Sequence, residues 1–137
     1  MKEKEIPTVT FMPNEKGVLT SQIVHTTLGK DLVDKKDDEF IAVFVKGTTA
    51  IGKHAFQLTN MKIKSFPKGL IKIDEYAFDF CNGIKEITFP AGLKRIEGNA
   101  FSNNDLTSIT FSAGLLLIDV ESGLSLLSLA TDQRKQD

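Results

Sequence analysis

The sequence predicts a repeat solenoid: a short array of parallel strands in four to five coils, with a mixed N-terminal cap. Three observations predict it. The dipeptide Ala-Phe recurs at Ala55-Phe56, Ala77-Phe78 and Ala100-Phe101, in sequence steps of 22 and 23. A second phenylalanine column, Phe44, Phe66, Phe89 and Phe111, steps by 22, 23 and 22. Glycine follows that column three places on, at Gly47, Gly69, Gly92 and Gly114. Self-similarity at such a period marks stacked units, each too small to bury its apolar face alone.

The elements follow in order from the N-terminus. Residues 1–39 are expected to form the cap. Ile6-Pro-Thr-Val9-Thr-Phe11 fits the strand template of the later copies, but Phe11 and Phe44 lie further apart than one repeat, so an insertion is needed. Ser21–Lys36 carries Ile23, Val24, Leu28, Leu32 and Val33 at the spacing of a short amphipathic helix, with Ser21 as N-cap. Gly29 weakens that helix. Phe40 to Val45 are apolar in succession, which predicts a strand buried on both faces beneath the cap.

The array is expected over residues 40–130. Its best copy runs from Ile84 through Ile87, Phe89-Pro90, Gly92-Leu93 and Ile96 to Ala100-Phe101. Alternation of Ile and Phe puts two apolar side chains on one face of a short strand. Pro67 and Pro90 then end the strand, since proline has no N–H for a further ladder bond. The glycine column is expected at left-handed turns, where the missing Cβ removes the steric cost. Ile51, Ile73, Ile96 and Ile118 supply the inward residue of a return segment. Ala-Phe fits a corner: a small residue for close approach, then a large one to plug the coil. The aligned phenylalanines should stack as ladders. Leu124–Leu129 reads as a last strand whose corner is lost near Ser122-Gly123, and residues 131–137 as a disordered polar tail.

These columns together resemble the BspA-type leucine-rich repeat family over about residues 40–118. Cys81 stands at that family's cysteine position, three places after Phe78, with Thr59 and Asn104 in its place in the neighbouring copies. The resemblance implies a leucine-rich-repeat solenoid and a surface or secreted protein that adheres to host or matrix proteins. Met1 to Glu5 is hydrophilic and carries no signal peptide. Two readings stay open there: a cytoplasmic protein, or one whose leader was removed.

Composition narrows the partners. Hydrophobic content of 41% and charged content of 26% suit one soluble domain of 137 residues. A net charge of −1 supplies no long-range field for nucleic acid or anionic lipid, and basic residues run at most two together, as at Lys35-Lys36 and Lys94-Arg95. No nucleic-acid partner is expected. Membrane insertion is not expected either: Leu115–Ile118 and Leu124–Ala130 fall well short of the ~20 apolar residues of a spanning helix. One cysteine, Cys81, permits no internal disulfide and leaves the redox compartment open.

The chemistry-bearing residues predict no enzyme, no cofactor and no metal. His25 and His54 lack partners at zinc-ligand spacing. Asp34, Asp37, Asp38 and Glu39 lack the order of a calcium loop and read as solvated. Cys81 reads as a core thiol at a corner. Gly-rich phosphate loops and G-x-S-x-G are absent from the sequence. A hydrolase is the least favoured reading, since no acid, base or nucleophile constellation supports it.

What remains for function lies between the columns. On the exposed strand face the expected binding residues are Ser65, Glu86, Thr88, Ser108 and Thr110. The copy that holds Phe66 is ambiguous, because Lys64 stands where Ile87 and Ile109 stand, and a local shift would turn Ile63 inward. Five strands about 4.8 Å apart and three or four residues long give a flat footprint of roughly 200–300 Å². A standard interface takes about 800 Å² per partner. The face therefore suits a weak protein contact, a peptide or a glycan. The alternative is a self-associating module that pairs as a homodimer through the Leu124–Leu129 edge.

Overall fold

The strands are short because a turn follows each apolar run within a few residues. The computed structural model describes residues 6–31, 39–81, 83–110 and 117–118. Ten strands and one helix occur among them. β1 (Thr8–Phe11), β3 (Phe40–Phe44) and β5 (Met61–Ile63) form one parallel sheet, and β7 (Glu86–Thr88) pairs with β9 (Ser108–Thr110). β2 (Val18–Leu19), β4 (Ala50–Ile51), β6 (Lys72–Ile73), β8 (Arg95–Ile96) and β10 (Leu117–Ile118) form a five-stranded parallel sheet. Each repeat thus gives one strand to each side. Pairs such as Ala50↔Lys72 and Lys72↔Arg95 carry the sequence period directly into the register.

The core is the set of columns read from the sequence. Ile51, Ile73 and Ile96 are buried, as are Ala55-Phe56, Ala77-Phe78 and Ala100-Phe101. Phe56, Phe78 and Phe101 stack at centroid distances of 5.5 and 5.1 Å. Phe44, Phe66 and Phe89 form a second stack at 6.1 and 5.7 Å. The two ladders meet edge to face within each repeat, at Phe44–Phe56, Phe66–Phe78 and Phe89–Phe101. Both geometries are favourable for ring quadrupoles, at about 0.5–1.5 kcal/mol per pair beyond area burial.

The glycine column corrects the expectation. Of the described members only Gly47 is left-handed, at φ 98°. Leu70 N–H reaches the Pro67 carbonyl (3.1 Å) and Leu93 N–H that of Pro90 (3.2 Å), without left-handed backbone at Gly69 or Gly92. A type I turn closes the same bond with both central residues right-handed. Left-handed backbone falls instead at the Ala-Phe corner, in two columns: His54, Tyr76 and Asn99, then Leu58, Phe80 and Asn103, all with φ between 56° and 62°. Ala55 N–H to Gly52 and Thr59 N–H to Phe56 close turns inside a repeat. Alternate amides of the corner reach the next repeat: His54 to Glu75, Phe56 to Ala77 and Leu58 to Asp79, at 2.8–3.0 Å. The corner is therefore a third hydrogen-bonded side, and alanine lets the backbones approach.

The N-terminal segment extends both parallel sheets. Phe11 pairs with Phe44 and Val18 with Ala50. The long step between Phe11 and Phe44 contains the helix α1 (Ser21–Asp31), which follows β2 where later repeats turn their Ala-Phe corner. Val24 is buried there, and Ile23 and Leu28 pack on the core. The N-cap is Thr20, not Ser21: Thr20 Oγ1 accepts the Ile23 N–H at 3.2 Å, the side-chain-to-N3 bond that defines a cap. Strand β3 is buried on one face only. Phe40 and Ala42 point inward, whereas Ile41 is half-buried and Val43 is 36% exposed, because the array has an inside on one side of this strand alone. Leu32, Val33, Asp34, Asp37, Asp38, Phe111, Gly114, Ser122-Gly123, Leu124–Leu129 and residues 131–137 lie outside the described residues.

Candidate functional site

The strand face is interrupted where the period is irregular. Phe40↔Met61 and Ala42↔Ile63 pair at a step of 21, yet Phe44 and Phe66 are 22 apart. One extra residue therefore lies between Ile63 and Phe66. It turns Ile63 toward the core and leaves Lys64 and Ser65 exposed. The next step, from Phe66 to Phe89, is longer again, at 23. β5 and β7 share no ladder, although β6 and β8 pair across the same boundary on the opposite side. The interruption belongs to one side of the array.

The two strands are pinned at both ends of the gap. A Cβ on Gly83 would run into the Met61 carbonyl oxygen, so the chains touch there. At the other end the Phe66 and Phe89 rings stack at 5.7 Å. Between these points lies a cleft of about 300 Å³. Ile63, Phe66, Ile84 and Ile87 give it an apolar floor, and Lys62, Lys64, Ser65, Lys85, Glu86 and Thr88 line the rest. Lys62 Nζ stands 3.9 Å from Glu39, and Lys85 Nζ 3.8 Å from Asp105, with all four side chains substantially exposed. Among the described residues Lys64 has no ion-pair partner.

The expected binding residues divide between the cleft and the neighbouring strand. Ser65, Glu86 and Thr88 are exposed and line the cleft. Ser108 and Thr110 are half-buried on β9, paired with Glu86 and Thr88. The three lysines were not among the expected residues. Their signal was present in the misplaced Lys64 and in the long step from Phe66 to Phe89, which mark the same boundary.

The remaining polar groups serve the corner. Cys81 is buried, and its thiol donates to the Phe56 carbonyl at 3.0 Å. Burial pushes the thiol up to about 12, against the weaker opposing pull of the Thr59 hydrogen bond. Thr59 Oγ1 donates to the same Phe56 carbonyl (2.7 Å), and Asn104 Nδ2 donates to those of Phe78 (2.7 Å) and Phe101 (2.9 Å). The Thr-Cys-Asn column thus satisfies carbonyls that the ring ladders bury. Asp79, also buried, accepts from Gln57 Nε2 (2.8 Å) and Asn103 Nδ2 (3.0 Å), joining three repeats. His54 stacks on Tyr76 at 5.1 Å, while His25 is exposed on α1. Among the described residues no three of His, Cys, Asp and Glu stand together as a metal-binding group, and no helix is long and apolar enough to cross a membrane.

A family model described as "BspA type Leucine rich repeat region (6 copies)" matches residues 44–122, more than half of the 137 residues. That span holds the cleft, both ring ladders and all five expected binding residues. Searches of curated proteins and of solved structures gave no match.

Proposed function

The chain belongs to the BspA-type leucine-rich repeat family, and from that premise we propose that it is a non-enzymatic protein-interaction module. The observation that carries the reading is the interrupted strand face. The Ile, Phe and Ala-Phe columns are used inside the molecule, while the outward side chains of β5, β7 and β9 hold nothing in the core. One ladder on that face stops, and it leaves two strand edges and a cleft facing outward. Ser65, Glu86 and Thr88 stand at this cleft, and Ser108 and Thr110 extend the surface beside it.

In this reading the parallel ladders are rungs of a short right-handed solenoid of four to five coils, capped by the segment 1–39. The partner is a protein, peptide or glycan met at the cell surface or outside it, as adhesion proteins of this family suggest. Two buried groups that an enzyme would need accessible are engaged in the fold, Cys81 with Phe56 and Asp79 with Gln57 and Asn103.

Surface plasmon resonance of the immobilised chain against a panel of extracellular-matrix proteins tests the proposal. Saturable binding in the micromolar range is expected, about −8 kcal/mol, which suits a small contact face. The double substitution Glu86→Ala, Thr88→Ala should weaken it with the thermal midpoint little changed, because both side chains are exposed. No saturable binding to any matrix protein would remove the adhesion reading.

A further inference from the structure

We propose that the cleft between β5 and β7 receives one apolar side chain from an acidic peptide segment of the partner, a proposal that rests on the interaction reading above. The pinned ends decide the mode. With Gly83 against the Met61 carbonyl and Phe66 stacked on Phe89, no strand can slide between β5 and β7 to complete the ladder. A side chain can enter from outside while its backbone lies across the face. At about 300 Å³ the cleft is at the lower limit of ligand pockets; Phe66 and Ile87 are largely covered in its floor and Ile63 is half-buried, so the apolar contact it offers is small and suits one aliphatic side chain.

Charge selects the flanking residues. The lining holds three lysines and Glu86; Glu39 and Asp105 stand beside Lys62 and Lys85, so the cation left without a carboxylate among the described residues is Lys64. The pairs Lys62–Glu39 and Lys85–Asp105 are long and exposed, a class that contributes little and yields to an incoming carboxylate. Lys64 has no such competitor among the described residues. Ser65 and Thr88 also line the cleft, and a hydroxyl can both donate to and accept from a peptide backbone.

The test is a ¹⁵N-resolved NMR titration of the full chain with Ac-Glu-Glu-Leu-Glu-Glu-NH2. Saturable shifts centred on Ile63–Ser65 and Glu86–Thr88 are expected. Replacing the peptide's leucine with glycine should weaken binding about tenfold, the value of burying one such side chain. Lys64→Glu, at an exposed position, should weaken it about fivefold with the spectrum otherwise intact. Absence of saturable shifts up to about 5 mM, shifts mapping elsewhere, or equal binding of the glycine peptide would overturn the proposal. So would a heparin tetrasaccharide occupying the cleft when the peptide does not. The two readings separate in one comparison. Matrix-protein binding unaffected by Lys64→Glu sinks the pocket alone, and peptide binding without any matrix-protein binding sinks the adhesion reading alone.

Discussion

Leu58 and Phe80 occupy left-handed backbone with their side chains 67% and 45% exposed. The third member of their column is Asn103, the residue type that tolerates this conformation. Left-handed geometry costs an ordinary L-residue roughly 1–2 kcal/mol, and little burial offsets it at Leu58. Leu58→Asn should therefore raise stability by about 0.5–1 kcal/mol and the thermal midpoint by a few degrees. An unchanged or lower midpoint in a thermal melt would contradict this account of the corner. Cys81 supplies a second prediction at the same scale. Its folded thiol is held protonated up to about 12, against an ordinary value of 9.0. Above pH 9 the unfolded chain loses its proton first, so stability must fall as pH rises from 9 toward 12. Below pH 9 the contribution is fully present. Urea midpoints at pH 8 and pH 10.5 should diverge more for the native sequence than for Cys81→Ala, which lacks the titrating group. Equal divergence would show that the thiol titrates alike in both states. The two cases differ in legibility. Cys81 was readable as a core thiol because its column repeats. The left-handed columns were not, because asparagine appears in them only at Asn99 and Asn103.

Gly83 and Gly69 separate two meanings of glycine within the elements. Gly69 begins no left-handed turn, and nothing stands within 4 Å of its absent side chain. Gly83 is held against the Met61 carbonyl at the N-terminal end of the gap between β5 and β7. Gly83→Ala should cost about 1–3 kcal/mol, as overpacking does, while Gly69→Ala should be neutral or gain a few tenths. Chemical denaturation of both variants decides the matter, and equal effects would refute the distinction. Periodicity located Gly69, Gly92 and Gly47 as turns but could not assign their backbone sign, since two turn types close the same hydrogen bond. The N-terminal strand was legible in Ile6–Phe11 for the same reason the array was. The long step from Phe11 to Phe44 becomes α1 in the place of a corner, which sequence spacing announces as an insertion without saying where it goes. The slip at Lys64 was visible as a broken column. That it opens a cleft was not, because the consequence depends on the extra residue in the step that follows, from Phe66 to Phe89.

Across the whole molecule the two ring ladders make each repeat depend on its neighbours. Phe78 is the junction: its ring touches Phe56 and Phe101 along one ladder and Phe66 in the other. Its own amide donates to Ala100, and its partner Ala77 accepts from Phe56. Stability in stacked repeats divides into unit and nearest-neighbour terms, so damage at a junction is felt on both sides. Phe78→Ala should cost about 3–5 kcal/mol, a large part of the roughly 5–15 kcal/mol that a domain commonly holds. Phe78→Leu keeps most of the volume and should cost about a third of that, leaving a folded protein for exchange measurements. In that variant, hydrogen exchange should accelerate at the Phe56 and Phe80 amides together, since both bridge repeats at the same corner. Acceleration confined to Ala77–Asp79 would mean that the rings pack as independent plugs. The same coupling bears on the proposed binding face, because Phe66 and Phe89 close one end of the cleft and lean on Phe78 and Phe101. A loosened Phe78 should therefore weaken peptide capture as well as stability, whereas Lys64→Glu should weaken capture alone.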